Sequence, residues 1–536
     1  MGKKSTKPRP QPQPVPAVAA DLPSGGVEPR AALGTSQMAR RAAFANWAPQ
    51  LWDADTGQQW ERDDKRAASR ALYDESPPAR AAIQKGVEYR VGTGLRLQST
   101  IDADELRLTD EQAEEWQDRT EKRFNMWASS AFASVEGDQC FYELQQLIAK
   151  SRALSGDVFA VITQKDRPNW PFKTAIQLIE ADRVCNEKAT ANTNEIYEGI
   201  RRKTDGEIVS IFVADHHPNR HVSAQITRTW REIPIFAPNG RRNIIHAKKM
   251  ERPGQTRGMP ALSVVASILK SVTRYSEAEL EAAVNSAALA IFATMSPDSF
   301  KELFQNPAEQ EEYITHAMKA RADATSLDSG KLLNLFPGES VVSPTPGRPN
   351  PNFGQFVEDF YIQLGMGLNE PMEVITGLFK SSYTAARAAL QQLWQSIYID
   401  RASDEVQICN PIYQAWLFDS VGDGIIQAPG FFRDPFIRHA WSIANWTGMG
   451  PSSLNPLQEA QAAVLLAQNI TSEQEEAVKF DGGDWRTRHR LRVRAAEARR
   501  RDGLPPLGAK VADAPAQDQQ QDQGQDQQQD NSDANP

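Results

Sequence analysis

Two periods of apolar and polar positions run through this chain, and the places where one gives way to the other mark its elements. From Ala261 to Met295 there is no proline or glycine, and the stretch follows a turn-rich octet, Pro253-Gly254-Gln255-Thr256-Arg257-Gly258-Met259-Pro260. As one helix these residues would reach about 50 Å. The second half, Ala282 to Ala293, carries small residues on more than one face, so neighbours can approach closely on several sides. The pattern predicts a strut inside a bundle or ring. A second stripe, Phe356, Val357, Phe360, Tyr361, Leu364 and Leu368, predicts another helix, weakened at its end by Gly365 and Gly367 and bounded by Pro371. A third long helix is expected from Thr384 towards Phe418, kinked at Asn410-Pro411, where proline removes a ladder hydrogen bond.

Before the octet, helical and strand periods mix. Helices are expected over 66–72, over 79–84 with Pro78 in the first turn, and over 111–127 and 141–154. Val91-Gly92-Thr93-Gly94-Leu95-Arg96-Leu97 reads as a glycine turn feeding a strand, and 158–162, 175–179 and 244–250 read as further strands. Thr204-Asp205-Gly206 joins 195–201 to 208–214 as a hairpin, because such a turn needs positive φ. After Met295 come short helical pieces at 300–304 and 310–322, short strands at 332–336 and 340–342, and an extended lead-in set by Pro344, Pro346, Pro349 and Pro351. The last predicted helices are 455–469, 471–479 with Thr471 to Gln474 as a capping box, and 484–501. The fold class is α+β, mainly helical after the octet. The Pro-, Ala- and Lys-rich start and the Gln/Asp-rich end have no hydrophobic period and read as disordered arms.

Composition narrows the class. A length of 536 residues with 40% hydrophobic and 24% charged residues fits a soluble chain of several domains. Cys140, Cys185 and Cys409 are far apart and form no CxxC pair, so neither a disulfide framework nor a zinc knuckle is expected. Net charge is −9, and the six Asp from Asp513 onward account for much of it, leaving the remainder near −3. That is not the footprint of a tight nucleic-acid binder; any DNA contact should be loose. No apolar h-region follows Met1, and no window of 18 apolar residues occurs, so neither a secretory signal nor a membrane span is expected. Met1-Gly2 with Thr6 meets the loose acylation pattern, which six common residues match by chance.

The chemistry of catalysis is missing from the motifs. Gly330-Lys331 lacks both the upstream glycine and the following Ser or Thr of a phosphate-binding loop, and no HExxH occurs. Gly92-x-Gly94 lacks the third glycine of a dinucleotide fingerprint. His216, His217 and His221 surround Pro218 and Asn219 and read as a polar loop ahead of a metal site. No catalytic residue, cofactor or metal is expected, and the chain reads as a non-enzyme.

From about Trp47 to Leu504 the chain resembles the portal proteins of lambda-type tailed bacteriophages. The pieces that carry the resemblance come in the family's order: Pro78-Ala79-Arg80-Ala81-Ala82-Ile83, Val91-Gly92-Thr93-Gly94-Leu95, Gly156-Asp157-x-Phe159, Ile179-Glu180-Ala181-Asp182-Arg183 and His217-Pro218. Then follow Pro253-Gly254-Gln255-x-Arg257-Gly258, Tyr275-x-Glu277-Ala278-Glu279-Leu280, Leu335-x-Pro337-Gly338-Glu339, Tyr383-x-x-Ala386-Arg387-Ala388-Ala389 and Gly483-Asp484-Trp485. The resemblance implies a ring, usually a dodecamer, at one capsid vertex, through which double-stranded DNA is packaged and ejected. It implies a disordered arm (1–35), an α+β wing (36–260), a first stem helix (261–295), a clip (296–352), a second stem helix (353–374), a tunnel loop (375–383), a long kinked wing helix with its following loop (384–450), a helical crown (451–505) and a tail (506–536). The partners it implies are other copies of the chain, sequence-independent DNA, the terminase large subunit, head-completion and tail connector proteins, and the major capsid and scaffolding proteins. The place it implies is the virion, after assembly in the bacterial cytoplasm.

A channel must let DNA slide, so a ring of negative subunits that repels phosphates suits the role. Glu277 and Glu281 lie four apart on one face of the first stem helix, as do Lys270 and Arg274, and either pair is a candidate channel lining; ion pairing within or between helices is the alternative. Lys380, with Ser381 and Ser382, sits in the implied tunnel loop, where it would offer one transient phosphate contact per subunit. Arg486, Arg488 and Arg490 open an arginine-rich helix and are candidate crown contacts with DNA, or a solvated face. Two other classes stand beside the portal: a nuclease subunit of the packaging machinery, and a head–tail adaptor without a DNA channel.

Overall fold

The computed structural model describes residues 51–59, 61–219, 228–287, 292–293, 305–323, 333–334, 353–380, 382–451, 456–472, 475–476 and 485–504. The chain divides into one unit up to Trp446 and another from Thr447 onward. Among the described residues, no helix is long and apolar enough to cross a membrane. The mixed α+β class is as expected.

In the first unit, α1 (Arg62–Glu75) stops at Ser76, whose extended backbone leads into α2 (Pro77–Arg90) with both prolines in the first turn. The glycine turn feeds β1 (Arg96–Ser99). Thr109 and Gln112 form a capping box on α3 (Asp110–Ala128), and Gly156 at φ +90° ends α4 (Phe141–Ser155). The strand that follows, β2 (Asp157–Gln164), is the centre of an antiparallel sheet between β3 (Thr174–Ile179) and a later strand. A second antiparallel sheet is a meander of β4 (Ile196–Tyr197), β5 (Ile200–Arg202), β6 (Ile208–Ala214) and β7 (Trp230–Pro234). Gly206 at φ +91° makes the Asp-Gly turn. β8 (Ile244–Lys248) closes the first sheet on the other side of β2.

Strand alternation sends the two faces of β2 into different cores. Val158, Ala160 and Ile162 join an aromatic core with Trp116, Phe124 and Trp127 of α3 and Phe141 of α4, while Phe159 and Val161 pack with Ile200, Ile211, Val213 and Ile233 of the meander. Only a run apolar at every position can serve both sides. The aromatic core is completed by Tyr413 and Trp416, whose rings meet Phe124 edge-on at 5.6 and 5.1 Å.

After the octet comes a 3-10 turn at Ala261–Ser263 and then α5 (Ala266–Ala287). Here the expected single helix to Met295 is corrected: Phe292–Ala293 is β9, and it pairs in parallel with β10 (Leu333–Asn334). The run around β-branched Ile291 and aromatic Phe292 has no polar face to hold a helix in register, and those residue types suit a strand. Between these strands lies α6 (Pro307–Asp323). The expected pieces at 300–304 and 340–342 and the proline lead-in lie outside the described residues. Then follow α7 (Phe353–Leu368), the short α8 (Met372–Thr376), α9 (Tyr383–Asp404) and α10 (Asn410–Gly422). The kink expected at Pro411 takes the form of a π-turn at Glu405–Cys409, immediately before it, which widens the ladder where proline cannot donate. The unit closes with α11 (Pro435–Ser442) and β11 (Ala444–Thr447), which pairs with β1.

The second unit contains α12 (Pro456–Asn469) and α13 (Trp485–Arg501). Of the expected capping box, Gln474 lies outside the described residues; Ser472 Oγ accepts from the Glu475 N–H at 3.1 Å, and Thr471 Oγ1 donates to Glu476 at 2.9 Å.

Candidate functional site

Where the octet leads into α5, an acid is buried among cations. Asp157, at the head of β2, is wholly buried. Arg257 donates to both its oxygens, Nε at 2.5 Å and Nη2 at 3.3 Å; Arg66 of α1 donates at 3.4 Å, and His246 Nε2 of β8 lies at 3.0 Å. Arg257 gives its other hydrogens to the carbonyls of Ala181 (2.8 Å), Val184 (3.0 Å) and Glu198 (3.0 Å). Burial opposes the charge on Asp157, but Arg257 and the His246 bond outweigh it and hold the carboxyl well below the usual carboxylate range. Burial pushes the His246 imidazole down to about 4 against the pull of Asp157, so at neutral pH it is uncharged and Nε2 carries the proton it shares with the acid. Asp182, beside the junction, is likewise held low, burial being outweighed by Arg66 and Arg70.

The octet is clamped into this junction. Gly156 and Gly258 touch through their backbones: a Cβ on Gly156 would lie 2.5 Å from the Gly258 carbonyl carbon. Asp55 accepts from the Thr256 N–H at 2.7 Å and from its hydroxyl at 2.6 Å, and Lys248 Nζ donates to the carbonyls of Gln255 and Thr256 at 2.7 Å each. Several pieces that carry the family resemblance therefore meet in one place: Gly156-Asp157, Glu180 to Arg183, His217-Pro218 and the octet. His217 Nε2 stands 3.9 Å from both Glu180 and Asp182. These three side chains have the reach to share a cation, but Arg70 already bonds both carboxylates, at 3.1 and 2.5 Å. His221 lies outside the described residues.

From the octet, Leu262, Val265 and Leu269 pack against Leu72, Ala79 and Ile83 of α1 and α2 and against Leu364 and Ile375. Farther along, Tyr275 stacks on Phe353 with centroids 5.6 Å apart. The glycines that weaken α7 on paper are contact points in space: Gly367 lies against Val265 and Gly365 against the Glu370 carbonyl. Asn369 at φ +58° and the Glu370 N–H to Gly365 carbonyl bond (3.0 Å) end α7, and Pro371 turns the chain into α8.

Gly377 at φ +70° ends α8 and opens the loop. Lys380 is mostly exposed and forms an ion pair with Glu358 of α7, while Leu378 and Phe379 beside it are half exposed. Ser381 lies outside the described residues, and Ser382 Oγ accepts from the Ala385 N–H at 3.4 Å as the cap of α9. On α5, Lys270, Arg274, Glu277 and Glu281 are all exposed and fall on one stripe at spacings of four, three and four, basic near the octet and acidic beyond. Lys270 bonds Glu75 of α1 at 3.2 Å, an inter-helix pair of the kind set against a channel role. The Arg486 side chain lies outside the described residues; Arg488 and Arg490 are half-buried and engaged with other groups. Sequence reasoning missed Glu358, Glu370 and the joining of Asp157 to Arg257. The signals available were an acid heading an apolar strand and an arginine set between turn residues.

Comparison with known proteins places this arrangement. A family model described as phage portal protein, lambda family, matches residues 40–401. The chain is 24% identical over 447 residues to portal protein B of Escherichia phage lambda, covering 80% of this chain and 83% of that one. It is 23% identical over 484 residues to the portal protein of Escherichia phage N15, covering 87% and 90%. Among solved structures it is similar to a chain in the neck of an empty gene transfer agent particle, with 13% identity, a TM-score of 0.43 and coverage of 83% and 94%. With a match that takes in both sheets of β2 to β8, the helices α5 and α7 and the loop after α8, the chain belongs to the lambda family of phage portal proteins.

Proposed function

We propose that this chain assembles into a closed homo-oligomeric ring at one capsid vertex and forms the channel through which double-stranded DNA is packaged and ejected. The observation that carries the reading is the span of the family match, 40–401, which includes α5, α7 and the loop with Lys380. Exposed apolar side chains support self-association: Val264 just before α5, Leu280 on α5, and Ile362 and Met366 on α7. The exposed stripe of α5 and the Lys380–Glu358 pair form the DNA-facing surface in this reading, with phosphate contacts weak and exchangeable. The segment between α5 and α7 is the clip, where the terminase large subunit and later the head-completion and tail connector proteins dock, and packaging energy comes from terminase. Capsid and scaffolding proteins surround the ring, which is built in the host cytoplasm before it becomes part of the virion.

Negative-stain microscopy of the purified chain tests this. The expected result is rings with a central hole wide enough for duplex DNA. A monomer that cleaves DNA when a divalent metal is added would overturn the reading in favour of a nuclease, and a ring too narrow for a duplex would favour an adaptor.

A further inference from the structure

The elbow between α7 and α8 contains a carboxyl group with an oxygen that has no hydrogen-bond partner among the described residues. Glu370 follows the left-handed Asn369, and its side chain turns inward against α2: a Cβ on Gly86 would stand 2.6 Å from Glu370 Oε1. Its Oε2 is buried and has no hydrogen-bond partner among the described residues. Around it is a cavity of about 230 Å³ between α2, the elbow and α9, with Ile83, Val87, Leu368, Val374, Leu393 and Ile397 among its walls. The titratable groups that line the same cavity are engaged elsewhere or form no bond to this carboxyl. Arg90 pairs with Asp400 and Asp404, Arg152 with Asp404, Tyr89 meets Trp394 edge-on, and Lys249 and Glu251 stand at the cavity wall. A buried acid in apolar surroundings without a cation stays neutral.

We infer that Glu370 is a protonation latch: as a neutral acid it seats the α7–α8 elbow on α2, and its ionisation unseats the elbow and frees the loop that begins at Gly377. Burial raises its carboxyl to about 8. The seated form holds a proton that the open form, with an ordinary carboxylate near 4.5, gives up. Opening is therefore resisted in acid and becomes easier as pH rises, up to the point where the seated form also ionises. The latch concerns how firmly the elbow is held, and it stands whether or not the loop faces DNA.

Amide hydrogen exchange of the full-length protein tests it, read on peptides covering 369–376 and corrected for intrinsic exchange rates. The expected result is an opening equilibrium that rises about tenfold per pH unit between pH 5 and 8 and levels off above. Glu370→Gln and Glu370→Met, which fill the space without titrating, should give flat profiles in the same peptides, and a second peptide set in β2 should be flat in all three proteins. A flat wild-type profile, or a slope that survives in either variant, would overturn the proposal. If neither variant folds, the wild-type slope alone decides.

Discussion

Asp157→Asn keeps the outline of the side chain and removes the buried charge that Arg257 and Arg66 share. Breaking a buried ion pair from one side costs about 3–5 kcal/mol, so the variant should show a large drop in thermal or denaturant midpoint. Acid should reveal the same junction in the wild type. His246, with an imidazole pushed down to about 4 from an ordinary 6.5, resists protonation when folded, so stability falls as pH drops from 6.5 towards 4. Asp157, held below an ordinary 3.8, contributes stability that is complete above that value and is lost at lower pH. Asp157→Asn should lack the lower step, and a variant that still shows it would refute the assignment.

Among the elements, the pairing of α5 with α7 depends on a missing side chain. Gly367 allows α7 to lie against Val265, itself buried in the core that α5, α7 and α1 share. Gly367→Ala should cost about 1–3 kcal/mol by overpacking, and Val265→Ala should recover much of that loss in the double variant. Additive effects in a double-mutant cycle would mean that the helices do not meet there. The long helix after the loop is anchored at two levels. Arg401 donates to the carbonyls of Tyr89 and Arg90 at the end of α2, at 2.9 and 2.8 Å, and Gln407 in the π-turn accepts from the Lys248 N–H at 3.2 Å.

For the whole molecule, the proposed channel contact is Lys380, which forms an ion pair with Glu358. In a phage complementation assay, Lys380→Ala should leave rings intact and reduce DNA retention, and unchanged packaging would remove Lys380 from the channel. Glu358→Gln should act in the opposite sense, freeing the amine and adding about one phosphate contact per subunit to the salt dependence of DNA binding.

How much of this could be read from the chain depended on the range of the interactions. The Asp205-Gly206 hairpin, the proline-started α2 and the stripe of α7 were legible because turn chemistry and periodicity are local. β7 was not predicted, because Trp230-Arg231-Glu232-Ile233-Pro234 is an edge strand with charged outward positions and a terminal proline, which hide its period. β9 was misread as helix because an all-apolar run has no face to give it away. The stripe of α5 was legible, but the pairing of Lys380 with Glu358 and of Asp157 with Arg257 was not. Those partners lie far apart in sequence, and nothing local selects one acid among many.

The register of β8 on β2 has a mechanical consequence. Asp157 lies opposite Lys248, and Val161 opposite Ile244, so the strand that leads into the octet is held along its length by its neighbour. Tension that travels down the backbone from α5 meets first the clamp around Arg257 and then β8, pulled along its own axis. Strands pulled that way must lose their rungs together, in shear, whereas a strand peeled from its end gives them up one after another. Force on α5 is thus shared by the whole β8–β2 ladder at one side of the sheet, with the octet as a stiff splice between rod and plate.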